Sequence, residues 1–261
     1  MTPVYNQLQS REIFHLEFLR FLSGKVKTKY FSLKGGANLR FFFRSIRYSE
    51  DMDLDVSGVG VTALKDIVMK IFQAPYFQDS LTQFGIERVV PPDIIKAKQT
   101  ETTQRFKIHL ITFAGEDLFT KVEFSRRGFK GNIVVQPVSN AVLRSYKLSP
   151  LVVPHYDIQS SVMQKLEALA ARAVIQTRDI FDLYILSSQF DSVQLKEIKI
   201  KSSRLTKAHE NVFEVNFEKF RDTVISYFSA EYQAVYNSAS LWDEIKLKVS
   251  GFIEELRRVN A

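Results

Sequence analysis

The sequence predicts a mixed α/β (α+β) sheet domain followed by a C-terminal helical bundle. Short β-rich runs alternate with segments of helical period up to about residue 145, and from Gln159 onward only the helical period remains. Between the two, Ser149 to Pro154 has the extended, proline-marked character of a linker. A boundary there gives a sheet domain over 1–150 and a helical domain over 151–261, both of ordinary domain size.

The elements follow in chain order. Over residues 9–22, Ile13, Phe14, Leu16, Phe18, Leu19 and Leu22 stand near helical spacing and predict an amphipathic helix. Tyr30 to Leu33 is a short apolar strand that ends on Lys34-Gly35-Gly36, a turn signal, and Ala37 to Phe43 start a buried helix. Met52 to Val56 alternates strictly, as a strand does. Val61 to Phe72 predicts a helix ending before Pro75, and Ile86 to Val90 a strand ending at Pro91-Pro92. Arg105 to Phe113 and Leu118 to Ser125 flank Ala114-Gly115-Glu116-Asp117 as the arms of a hairpin. Val162, Leu166, Leu169, Ala170 and Ala173 then form one helical stripe, and Ile180, Leu183, Tyr184 and Leu186 a second. Further helices are expected near Phe217 to Phe228 and Leu241 to Val259.

Composition removes several classes of function. Hydrophobic residues make up 45% of the 261 positions and charged ones 25%, so the chain can bury a core without covalent help. The absence of cysteine excludes disulfides, thiolate zinc sites and cysteine nucleophiles, and suits a reducing cytoplasm. No run approaches the roughly 18 apolar residues of a membrane span, and the charged N-terminal stretch reads as neither signal peptide nor anchor. A net charge of +7 favours polyanionic partners such as nucleic acids or nucleotides.

The chemistry concentrates in Ser49-Glu50-Asp51-Met52-Asp53-Leu54-Asp55-Val56. Residues two apart on a strand share a face at about 6 to 7 Å, so Asp51, Asp53 and Asp55 line one side while Met52, Leu54 and Val56 pack the other. A row of like charges calls for cations, and Mg²⁺ held by carboxylates together with substrate phosphates is the usual answer. The bland alternative is a structural acidic strand end. Upstream, Gly35 and Gly36 let the backbone approach a phosphate where a helix begins and its free N–H groups favour anions.

Leu33-Lys34-Gly35-Gly36-Ala37-Asn38-Leu39-Arg40 followed by Arg47-Tyr48-Ser49-Glu50-Asp51-Met52-Asp53-Leu54-Asp55 resembles the signature of the AbiEii-type nucleotidyltransferase toxins, of the DNA polymerase β-like superfamily. The resemblance implies a nucleotidyltransferase fold over the sheet domain, with a nucleoside triphosphate (NTP) as substrate and Mg²⁺ or Mn²⁺ held at Asp51 and Asp53. The nucleotide-binding set expected from it is Lys34, Gly35, Gly36, Arg47 and Ser49. Where that family commonly has a small hydroxyl residue after the glycines this chain has Ala37, so one phosphate hydrogen bond is missing. Glu123, in Lys121-Val122-Glu123-Phe124, is the candidate third metal carboxylate; surface ion pairing with Lys121, Arg126 or Arg127 is the competing reading.

In the helical half, Met163-Gln164-Lys165-Leu166-Glu167-Ala168-Leu169 and Thr177-Arg178-Asp179-Ile180-Phe181-Asp182-Leu183-Tyr184 resemble downstream motifs of the same toxins. They imply Lys165 as a phosphate contact and Asp179 as the catalytic acidic residue of the last motif; Asp182 shares its helix face, so that one of the two carboxylates is catalytic and the other orients Arg178 or Lys165, while the bland alternative is a helix start with Asp179 near the positive end of the dipole. The expected active site lies between the two domains. A cognate antitoxin and an RNA acceptor, transfer RNA above all, are the partners the resemblance brings. Lys196, Lys199, Lys201, Arg204 and Lys207 form a basic stretch that could track a nucleic-acid backbone or simply be a solvated face. Ser49 stands two residues before Asp51, where an added phosphate would set negative charge beside the carboxylates, and the resemblance implies inactivation of this kind. The four histidines have no ligand-like spacing, and no P-loop occurs. Rival readings are a catalytically silent fold used for binding, a transferase acting on a protein hydroxyl, and a metal-dependent phosphodiesterase.

Overall fold

The computed structural model describes residues 5–94, 97–190 and 194–260. The chain divides into two compact units, one formed by Met1–Phe42 and Tyr48–Tyr156, the other by Phe43–Arg47 and Asp157–Ala261.

The first unit opens with helix α1 (Gln7–Ser23), started by a capping box in which Asn6 and Gln9 satisfy each other's backbone N–H groups. Strand β1 (Phe31–Lys34) leads directly into α2 (Gly35–Phe42), and β2 (Met52–Val56) follows. Helix α3 (Val61–Gln73) stops at Ala74, and α4 (Pro75–Thr82) begins on the proline itself. Pro75 thus ends one helix and starts the next, because its fixed φ and missing N–H suit a first helical position. Strand β3 (Ile86–Val90) and the long hairpin β4 (Thr103–Thr112) and β5 (Asp117–Ser125) come next, then β6 (Ile133–Pro137), α5 (Asn140–Ser145) and β7 (Val152–Tyr156).

The seven strands form one sheet in the order β3-β4-β5-β2-β1-β7-β6. β2 runs parallel to β5 and β1 parallel to β7, while the other neighbours are antiparallel. Met52, Leu54 and Val56 are buried, as the alternation requires, in a core with Phe14, Phe18, Phe72, Phe106 and Phe124. Burying a side chain of this size contributes about 1.5 to 3 kcal/mol, so the apolar face of β2 fixes its register and with it the direction of the aspartates.

Two strands of the first unit depart from expectation, and α4 and α5 are helices that were not expected. The stretch expected as a linker carries β7, paired with β6 through Val153 and Pro154 and with β1 through His155. Pro154 removes one hydrogen-bond donor but leaves an extended backbone intact, and the paired valines before it make the strand. Residues 133–137, for which no element was expected, form β6; their Ile-Val-Val run is the signal.

The second unit consists of α6 (Ile158–Ala171), α7 (Thr177–Ser187), α8 (Ser202–Val212), α9 (Phe217–Thr223), α10 (Ala230–Tyr236) and α11 (Ala239–Asn260), together with residues 43–47. Asp157 caps α6 by accepting from the Ser160 N–H at 2.8 Å. The helix expected over 217–228 breaks at Val224, and Ile225–Tyr227 form a single tight 3-10 turn. The interior is apolar and aromatic, with Phe220 stacked on Trp242 at 4.2 Å between ring centres.

Candidate functional site

In the first unit the acidic row is built on β2 and its neighbours. Antiparallel pairing sets Lys34 opposite Asp53 and Ser32 opposite Asp55, and parallel pairing sets Glu123 beside Asp53. Gly35 adopts a left-handed φ of 68°, and a Cβ there would lie 3.2 Å from the Asp53 Oδ2. Glycine therefore serves both the turn from β1 into α2 and the close approach of Asp53 to that turn. Ala37 is buried in the following helical turn.

The three aspartates of the row have different surroundings. Asp51 Oδ2 meets Lys121 Nζ at 2.9 Å. Asp53 is only half-exposed by area, and burial, working against the nearby Lys121 and Lys34, raises its pKa above the ordinary carboxylate value. Asp55 is buried and held from both sides, one oxygen by the Lys34 ammonium and the other by the Tyr156 hydroxyl at 2.6 Å. Glu123 accepts from Arg105 Nε at 2.7 Å. The Ser49 hydroxyl donates to the Asp51 carbonyl at 2.7 Å and so shapes the bend that precedes the strand.

This donor set bears on the expected divalent metal. Among the described residues no three carboxylates or histidines form a ready group for an ion, and Glu123, beside Asp53 in register, is bonded to Arg105. Asp51 and Asp53 are hard carboxylate donors, which suits Mg²⁺ bound by one or two side chains and completed by water and substrate phosphate. Lys121 and Lys34 now supply the positive charge that such an ion would add.

In the second unit, α6 and α7 bring Lys165, Asp179 and Asp182 together. Lys165 Nζ lies 2.9 Å from Asp179 Oδ1 and 2.6 Å from Asp182 Oδ2, and both aspartates are fully buried. Arg47 closes the network on one side, its Nη2 3.0 Å from Asp182 Oδ2, and Arg172 on the other, its Nε 3.3 Å from Asp179 Oδ2. Burial pushes the Asp182 pKa up, but Arg47 and Lys165 outweigh it and hold the carboxyl below its usual range. Burial likewise opposes the charge on Lys165, and the two aspartates overcome it and raise its pKa.

Arg47, expected as a nucleotide contact, thus spends its guanidinium on Asp182 and is buried. Of the two partners expected for Asp182, Lys165 is bonded to it and Arg178 is exposed on the helix surface. Arg47 lies 135 positions from Asp182, and nothing in the local sequence signals their pairing. Arg172 follows Lys165 by two helical turns on the same stripe, a signal that was legible. The basic stretch is exposed at Lys196, Lys199, Lys201, Arg204 and Lys207, the last two on α8. His15, bonded to Thr120 at 2.9 Å, and His155, stacked on Phe42 at 3.5 Å between ring centres, are packed, whereas His109 pairs with Asp117 on the surface.

Solved structures similar to this one include JHP933 from Helicobacter pylori, with a TM-score of 0.58 at 19% identity over 99% of this chain and 95% of that one. MenT4, a nucleotidyltransferase toxin from Mycobacterium tuberculosis, aligns with a TM-score of 0.63 at 14% identity over 98% of this chain and 88% of that one. These likenesses show the fold. No curated protein matches in sequence. The family described as nucleotidyl transferase AbiEii toxin, type IV toxin–antitoxin system, matches residues 18–241. With the Gly-Gly turn set against Asp53 and the match spanning both units, the chain belongs to the AbiEii family of nucleotidyltransferase toxins.

Proposed function

We propose that the chain transfers a nucleotidyl group from an NTP to an acceptor hydroxyl. The observation that carries this reading is Asp53, packed against the Gly35 turn and set between Lys34 and Lys121. Asp51 and Asp53 would hold Mg²⁺ or Mn²⁺, which when bound neutralises the triphosphate and lowers the pKa of the attacking hydroxyl. The chain's own groups account for the rest. The start of α2, an eight-residue helix, offers backbone N–H groups and the positive end of its dipole to phosphate, and the Lys34 ammonium adds a point charge at the same edge.

The acceptor oxygen bonds to the α-phosphorus as the bond to pyrophosphate breaks, and the hydroxyl proton passes to solvent. Lys165 is assigned to the charge that develops on the phosphates, and Asp179 to holding that lysine. The acceptor is RNA, most specifically the 3′ end of transfer RNA, and the toxin is restrained in its host by a cognate antitoxin. The net charge of +7 and the exposed Lys196 to Lys207 stretch support a polyanionic acceptor.

Incubation of the purified protein with each labelled NTP, Mg²⁺ and total RNA tests both levels. Label in transfer RNA is the expected outcome. Label in protein alone would discard the RNA acceptor, and no label in any fraction, with a folded protein, would discard the transferase.

A further inference from the structure

Asp55 completes the acidic row in sequence but not in bonding. Antiparallel register puts Lys34 opposite Asp53, yet its ammonium goes to the diagonal neighbour, Asp55. The second Asp55 oxygen accepts from Tyr156, itself fully buried, whose oxygen accepts the Lys130 N–H at 3.0 Å. The tether therefore runs from the β7 end to the β1 end through one carboxylate. Two anions compete for one ammonium here, and the deeper, hydroxyl-bonded one holds it. A Lys34 bonded to Asp53 would occupy an oxygen of that carboxylate; bonded to Asp55, it leaves Asp53 open and keeps N–H groups to spare for a ligand.

We propose that Asp55 is a positioning residue: with the Tyr156 hydroxyl it fixes the Lys34 ammonium beside Asp53, where Lys34 meets the triphosphate, and it takes no part in metal binding. The proposal rests on the nucleotidyltransferase reading of the Asp51–Asp53 site. Lys34 contacts phosphate in the ground state and in the transition state alike, so losing its placement weakens binding more than turnover.

Acylation of Lys34 by a succinimidyl ester, read by peptide mass spectrometry on the full-length protein, reports the tether without any need for activity. Asp55→Asn should raise the Lys34 rate about fivefold or more and Tyr156→Phe about threefold, with circular dichroism and thermal unfolding confirming the fold. In transfer assays Asp55→Asn should raise the KM for NTP about tenfold and leave kcat within about threefold. A folded Asp55→Asn that labels at the parent rate overturns the proposal, as does a fall in kcat at unchanged KM, which would put Asp55 at the reacting atoms. Should Asp55→Asn fail to fold, Tyr156→Phe decides on the labelling result by the same criterion. A parent without transfer activity would refute the nucleotidyltransferase reading, while the labelling arm would still decide the tether.

Discussion

Arg47 grips Asp182 with one edge of its guanidinium, Nε 3.2 Å from one carboxylate oxygen and Nη2 3.0 Å from the other, at a site where neither side chain is more than slightly exposed. Lys165 meets the same carboxylate at Oδ2, 2.6 Å away. Paired charges this deep recover little net energy over an apolar replacement, but removing one partner leaves the others uncompensated, at about 3 to 5 kcal/mol.

Asp182→Ala should therefore lower the stability of the protein by about that amount, measured by urea unfolding, and Lys165→Ala should also lower it, because it takes one of two cationic partners from each of two buried carboxylates. The resemblance implies that Lys165 and Asp179 serve transfer, so that alanine at either would impair activity and spare the fold. Burial changes that expectation. The Asp182 pKa is depressed in the folded state, so its contribution is present above the ordinary carboxylate value and is lost as pH falls through the folded one. Unfolding midpoints of Asp182→Ala and parent that coincide at neutral pH would show the network to be dispensable.

Asp51→Ala and Asp53→Ala should each reduce transfer by about a hundredfold or more with the fold retained. Asp53 sits where burial disfavours its charge, so Asp53→Asn should also raise the thermal midpoint of the metal-free protein by a few degrees, about 1 kcal/mol. Transfer at the parent rate in either alanine variant would remove these residues from the site, and an unchanged or lower midpoint in Asp53→Asn would mean that Lys34 and Lys121 already offset the burial.

Much of this site could be read from the order of residues. Strict alternation in Met52 to Val56 assigned the aspartates to one face, because a one-residue slip would bury them, and Gly35 had a local conformational reason to be glycine. What could not be read was the choice of partners. Asp55 looks identical to Asp53 in the pattern, and only the arrival of Tyr156 from β7, 101 positions away, separates their roles. Arg47 carried a motif position that pointed to nucleotide, yet its partner is set by the folding of α7. β7 itself was hidden by Pro154, whose cost to a strand depends on which neighbour needs the missing donor.

His15 gives the first unit an acid sensitivity. Burial, with Arg11 nearby, lowers its pKa to about 3 from 6.5, so it stays neutral in the fold and gains a proton on unfolding. The unfolded chain binds more protons across that window, and stability should fall by up to about 1.4 kcal/mol per pH unit below 6.5. Its Nε2 lies 2.9 Å from the Thr120 hydroxyl, which donates in turn to the Glu50 carbonyl, so His15→Gln can keep a donor there without the titration. Thermal midpoints recorded from pH 7 to 4.5 should fall less steeply in His15→Gln than in the parent; parallel curves would exclude His15 as the cause.

If RNA is the acceptor, the exposed basic stretch should be part of what holds it. Lys199 and Lys201 have no acidic partner among the described residues, and Arg204 has only Glu167 at 3.4 Å, a contact between two half-exposed side chains that is worth little in water. Such cations bind a polyanion by releasing its counterions, at about 0.7 of a unit of salt slope per phosphate on a single strand. Neutralising Lys199, Lys201 and Arg204 together to glutamine should thus lower the slope of log affinity against log salt by about 2, and weaken binding of unrelated RNA sequences to a similar degree. Stability should hardly change, since none of the three is buried. The measurement is a fluorescence anisotropy titration of labelled transfer RNA across a salt series. An unchanged slope in the triple variant, with transfer to RNA intact, would show that this surface is only a solvated face and that the acceptor is held elsewhere.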